Sequence, residues 1–221
     1  SSSAYFNRRL ECLHDTVQPD PVNNSRSTPR VRLMAMAVVV CIVLVAFTER
    51  PTFTGFASGL AGFLGFVLVA FAALGRFWTS LFIAGRKDAA LVQVGPYAAC
   101  RHPLYLLSLI GMIGLGLATR SVVLLLALTG IAALLHAGAM RAEDALLENM
   151  HGAAARRYRE QVPALIPDRS RYSVPELLEI QPRVVWKAVL DAGSLLLALA
   201  LLQAAHGLQQ AGAFAPWWRL P

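Results

Sequence analysis

The sequence predicts an all-α integral membrane bundle of about five transmembrane helices. Three observations carry that prediction. The 221 residues are 56% hydrophobic and 15% charged, with a mean hydropathy of +0.53, too apolar for an ordinary soluble domain. The apolar residues fall in long blocks without period-2 alternation, which favours membrane helices over a β-barrel. The basic residues gather in alternate connections between those blocks, as the two sides of a bilayer require.

Residues 1–30 mix Pro, Asn, Ser and Arg with little periodicity and read as a polar cytoplasmic tail. The tail lacks a short apolar core with a cleavage site, so no signal peptide is expected. Residues 31–78 read as a helical hairpin. Its first span, 33–47, is ended by Glu49-Arg50-Pro51. Its second, about 54–78, carries Gly55, Gly59, Gly62 and Gly65, small-residue spacings that let helices approach closely.

Residues 79–182 form the central part. A polar connector over 79–102 leads into a third span, 104–118, a tight Thr119-Arg120-Ser121 connection and a fourth span, 122–140. Three residues between two spans imply an antiparallel hairpin. A separate charged helix is expected over 141–161. Its Glu143, Asp144 and Glu148 precede Arg156, Arg157 and Arg159, an order that suits the helix dipole. Pro163, Pro167, Pro175 and Pro182 then break the chain. Residues 183–221 supply a fifth span, about 184–208, and a tail, with Asp191 expected to pair with Lys187 at i, i+4.

With the N-terminus inside and five spans, 17 of the 20 basic residues fall on the inner side. Only Arg50, Arg120 and Arg219 remain outside. The bias sets the orientation: a multi-pass protein of an inner membrane or endomembrane, with the 79–102 and 141–182 segments both in the cytosol. The formal charge of +7 then reports cytoplasmic loops and anionic headgroups, and no nucleic acid is expected as a partner. Cys12, Cys41 and Cys100 are far apart with no CxxC spacing, which argues against a disulfide framework and against a zinc site.

The most telling stretch is Leu91-Val92-Gln93-Val94-Gly95-Pro96-Tyr97-Ala98-Ala99-Cys100-Arg101-His102-Pro103-Leu104-Tyr105. Pro103 suits a first helical position, where a missing N–H costs nothing. Arg101 and His102 then stand at the positive end of an apolar helix, where free N–H groups favour an anion. The bland alternative is an interfacial pair that only snorkels.

A second constellation follows one helical hairpin later. It reads Glu143-Asp144-Ala145-Leu146-Leu147-Glu148-Asn149-Met150-His151-Gly152, then Arg156-Arg157-Tyr158-Arg159-Glu160-Gln161-Val162-Pro163 and Ile166-Pro167. Together the two stretches resemble the isoprenylcysteine carboxyl methyltransferase family and the related phospholipid N-methyltransferases, over about residues 91–167.

The resemblance implies an integral membrane methyltransferase that uses S-adenosylmethionine in a cytosol-facing pocket, with a lipid or lipid-linked acceptor entering sideways from the bilayer. Carried over by position, the implied cofactor residues are Ala89, Ala90, Leu91, Val92, Tyr97, His102, Pro103, Leu104, Tyr105 and Glu143. The implied catalytic residues are Arg141 and Glu143. These residue types suit the ligand: His102 and the helix start suit its carboxylate, Glu143 its amine, and Tyr97, Tyr105, Leu91 and Val92 its adenine and ribose. No metal is implied.

This sequence also departs from the family pattern. The carboxyl methyltransferases carry an arginine one turn before the Glu143 position, taken to hold the substrate carboxylate. Here that place is Ala139, and the nearest arginine is Arg141, about 200° around the helix. Asp144, His151 and Ala155 also differ from the family's usual Glu, aromatic and Tyr. A prenylated cysteine carboxylate is therefore not assumed as acceptor, and a phospholipid amine is the alternative. A nicotinamide-dependent membrane reductase, whose sterol-reducing examples have a similar C-terminal core, and a non-enzymatic helical membrane protein complete the readings.

Overall fold

The computed structural model describes residues 55–83, 91–178 and 182–211, with positions 36, 38–40, 43, 48–49, 53, 180 and 218–219. The first expected span lies mostly outside these residues. Met36, Val38, Val39, Val40 and Val43, which fall within it, are helical.

Four long helices carry the described fold. Helix α1 is Gly55–Ile83, α2 the single turn Pro96–Ala99, α3 Pro103–Ala118, α4 Val122–His151, α5 Ala153–Gln161 and α6 Pro182–Gln210. Helices α1, α4 and most of α6 are long and apolar enough to cross a membrane, and α3 is a shorter apolar helix. At about 1.5 Å per residue, α3 reaches roughly 24 Å, somewhat less than a hydrocarbon core. A two-residue parallel ladder, Thr48–Glu49 with Trp218–Arg219, is the exception to an all-helical fold among the described residues.

Val69 of α1, Met112, Leu115 and Ala118 of α3, Leu124, Leu128 and Ala132 of α4, and Leu199, Leu202 and Ala205 of α6 form one buried cluster. Large apolar side chains such as Phe56, Phe63, Phe71, Leu126, Leu134 and Leu197 point outward. A solvent of lipid tails tolerates that surface, whereas water would not.

Close approach of α1 and α3 rests on Gly65 and Gly114. A Cβ on Gly65 would lie 2.7 Å from the Gly114 carbonyl oxygen, and one on Gly114 would lie 2.9 Å from that of Gly65. Gly55 and Gly59, expected to share this role, have nothing within 4 Å of where a Cβ would stand.

Two expectations are corrected. The fourth span and the charged helix are one continuous helix through His151, because polarity changes at Met140 while nothing there breaks the backbone. The break falls at Gly152, with φ +53°, a conformation that favours glycine. Asp191 pairs with Arg76 of α1 instead of Lys187, since a counter-charge held against the bundle outcompetes an exposed neighbour on the same helix.

Candidate active site

The site gathers at the charged end of the bundle, where α2, the start of α3 and the charged end of α4 converge. Gly95 turns the chain into α2 with φ +61°, and a Cβ there would lie 2.4 Å from the buried Phe82 ring of α1. Pro96 follows as the first helical residue, and Tyr97 is driven inward, 6% exposed. The Tyr158 hydroxyl of α5 donates to the Tyr97 carbonyl at 2.7 Å. The Tyr97 hydroxyl itself is buried without a hydrogen-bond partner. Burial, reinforced by the charge of Glu143, pushes its pKa well above the usual phenol range, so it stays a neutral donor.

The irregular stretch after α5 braces this entrance. Arg101 N–H donates to the Pro163 carbonyl at 2.9 Å and His102 N–H to that of Ala164 at 3.1 Å. The Cys100 thiol points to the carbonyls of Ala164 and Leu165 at 3.2 and 3.4 Å. Burial raises its pKa despite the opposing His102 backbone bond and Arg101, so Cys100 is a structural thiol.

Asp144 of α4 ties the entrance together. One carboxylate oxygen lies 3.0 Å from Arg101 Nη1 and the other 3.1 Å from His102 Nε2. Burial lowers the His102 pKa, although Asp144 and Glu143 oppose it. A neutral imidazole that donates Nε2–H to Asp144 is left with Nδ1 as a buried acceptor, and that atom has no partner. His102 therefore does not offer a free cation to a carboxylate. The α3 start is also less open than expected, because the His102 N–H is used, Pro103 has none, and the Tyr105 N–H bonds to the His102 carbonyl. The positive charge here belongs to Arg101, whose Nε is buried without a partner.

Glu143 continues the buried α4 face of Ala132, His136 and Ala139, at helical spacing. It is half-buried and, among the described residues, makes no hydrogen bond or ion pair. Its charge acts on Tyr97, His102 and Tyr158 together. Tyr105 stacks at a tilt between His102 and His136, with ring centroids 5.8 and 5.2 Å away. Leu91, Val92 and Leu104 are half-buried and Pro103 is buried, whereas Arg141 is exposed. Ala89 and Ala90 lie outside the described residues. Among the described residues, no three His, Cys, Asp or Glu side chains gather as a metal site would need.

In the sequence alone, Asp144 reads equally as a solvated helix-face charge, and Arg101 has no evident partner. Adjacent cationic residues at one helix start, facing tandem acids on another, are the available signal for that pair.

The phospholipid methyltransferase family model matches residues 52–154, which take in α1, the entrance of α3 and α4 through Glu143 and Asp144. The chain belongs to the phospholipid methyltransferase family. This family member is 37% identical over 132 residues to the nickel-cobalt-cadmium resistance protein NccN of Alcaligenes xylosoxydans xylosoxydans, covering 58% of this chain and 61% of the relative. It is 37% identical over 145 residues to the cobalt-zinc-cadmium resistance protein CzcN of Cupriavidus metallidurans, covering 65% of this chain and 67% of the relative. No solved structure matches it.

Proposed function

We propose that this family member is an integral membrane enzyme that moves a methyl group from S-adenosylmethionine to the head of a lipid or lipid-linked acceptor. The observation that carries the reading is Glu143: a half-buried carboxylate with no hydrogen bond or ion pair among the described residues, whose charge acts on Tyr97 and His102. A carboxylate held so is suited to a ligand ammonium. Family membership favours methyl transfer over the nicotinamide-dependent alternative.

The residues present fit the cofactor. Glu143 would take its amine, Arg101 through its unpartnered Nε its carboxylate, and Leu91, Val92, Tyr97, Pro103, Leu104 and Tyr105 its flat and apolar parts. Ala89 and Ala90 belong to the same proposed set, and Arg141 remains a candidate at the rim. When bound, the cofactor supplies an activated methyl group on a sulfonium. The protein's own share is placement and dryness. Asp144 fixes Arg101 and His102, Tyr158 fixes Tyr97, and the apolar walls exclude water, so that nucleophile and methyl can meet in line.

The inner-side charge bias supports a cytosol-facing site at this end of the bundle. The family's description supports a phospholipid as the acceptor. The metal resistance named for its relatives would, on this reading, be served by altering the membrane's headgroups.

The test is transfer of labelled methyl from S-adenosylmethionine to liposomes of bacterial lipid extract containing the purified protein. Label in the lipid phase that is lost with Glu143→Gln supports the reading. A folded protein that transfers none, and that responds to NADPH instead, refutes it.

A further inference from the structure

A charge inside an apolar helix is costly and usually has work to do. Arg76 of α1 and Asp191 of α6 are two such charges, and they form an ion pair. Arg76 continues the buried α1 stripe of Val69, Ala72, Ala73 and Thr79. Its guanidinium also reaches the Ser108 hydroxyl and, at 3.4 Å, the Leu104 carbonyl of α3. It therefore lies one turn or so deeper in the bundle than the α3 entrance. Its charge acts on both Tyr97 and His136.

The cluster has unused bonding capacity. Arg76 Nε, the Tyr97 hydroxyl and His136 Nε2 are all buried without partners. Tyr97 is 6% exposed and His136 7%. An ion pair that only tied α1 to α6 would not explain three orphaned polar atoms, because buried polar groups are ordinarily satisfied. The Asp191 side chain, 44% exposed, marks where this cluster opens to the bundle surface. On α4, Ala139 offers no charge here and Arg141 is exposed.

We propose that Arg76 is the acceptor-specificity residue of this chain: with Tyr97 and His136 it receives an anionic group, carboxylate or phosphate, of an amphiphile that enters past Asp191. Asp191 holds the guanidinium until the anion replaces it. The inference deepens the methyl-transfer reading and rests on it for the word acceptor, although anion binding itself does not.

The test uses thermal unfolding of the purified full chain in nonionic detergent, with sub-micellar dodecanoate, dodecyl phosphate or dodecyltrimethylammonium, each with and without S-adenosylhomocysteine. The anionic probes stabilise the wild type and the cationic one does not; which anion acts more strongly separates a carboxylate from a phosphate source. Arg76→Gln weakens anionic-probe binding at least tenfold while the response to S-adenosylhomocysteine remains. Asp191→Asn frees the guanidinium and tightens it severalfold. If Arg76→Gln does not fold, Arg76→Lys replaces it, with weakened binding expected from loss of Nε and of the planar fork. Unchanged anion binding in the Arg76 variant overturns the proposal, as does weaker binding in Asp191→Asn or loss of binding only in Arg141→Gln. Failure of S-adenosylhomocysteine to act on the wild type would instead refute the methyl-transfer reading, leaving the Arg76 result to stand or fall on the amphiphile shifts.

Discussion

His102 Nε2 and Asp144 Oδ1 lie 3.1 Å apart and join the start of α3 to the charged end of α4. The same carboxylate also holds Arg101, so one acid fixes both side chains of the entrance. Asp144→Asn leaves Arg101, whose side chain is only 11% exposed, without its counter-charge. Breaking a largely buried pair from one side costs on the order of 3 kcal/mol. Denaturant unfolding in detergent should show that loss, and a loss below about 0.5 kcal/mol would mean a solvated surface pair.

The buried imidazole predicts a pH dependence. Burial holds His102 below its ordinary value of 6.5. The unfolded chain therefore takes up a proton near pH 6.5 that the folded chain refuses until the pH is lower. The His102 contribution is complete above that value and is lost as pH falls from it through the folded pKa. Unfolding midpoints should decline on acidification below about 6.5, and His102→Gln should flatten the decline. A wild-type midpoint that rises over that interval contradicts the neutral imidazole.

Gly95 is a steric prediction. A methyl group there meets Phe82 at 2.4 Å and also forces a positive φ on an L side chain. The two effects together should cost Gly95→Ala roughly 2–5 kcal/mol. Adding Phe82→Leu should recover part of it, the steric share, because the φ penalty remains. A Gly95→Ala protein as stable as wild type would show that α2 reaches its position by another path.

Orientation has its own test. Ser170 is exposed in the short 3₁₀ turn Arg169–Arg171, on the charged side of the bundle. In inside-out membrane vesicles Ser170→Cys should react with an impermeant maleimide, and in intact cells it should not. The reverse pattern would invert the topology argued from the basic residues.

Much of the architecture was legible in the sequence because bilayer helices are written in long apolar blocks. The third and fourth spans and their tight hairpin emerge close to where hydropathy puts them. The junction at Met140 did not, because hydropathy reports the surroundings of a helix and not the continuity of its hydrogen bonds; only Gly152 interrupts those. Tertiary partners were the least legible. Lys187 is near Asp191 in sequence, yet Arg76 is 115 positions away and reaches it through helix packing. Asp144 similarly depends on α4 standing against the start of α3, which no spacing along the chain reveals. Gly95-Pro96-Tyr97 was readable as a motif, but the ring of Phe82 that makes Gly95 necessary belongs to another helix.

The central claim is that Glu143 completes a pocket for S-adenosylmethionine, and calorimetric titration with S-adenosylhomocysteine in detergent tests it most directly. The wild type should bind in the micromolar range, about −8 kcal/mol. Glu143→Gln removes a charged hydrogen bond of about 1.5–3 kcal/mol, so its affinity should fall by roughly ten- to a hundredfold. Equal affinity in the two proteins, or heat with NADPH and none with S-adenosylhomocysteine, would contradict the account.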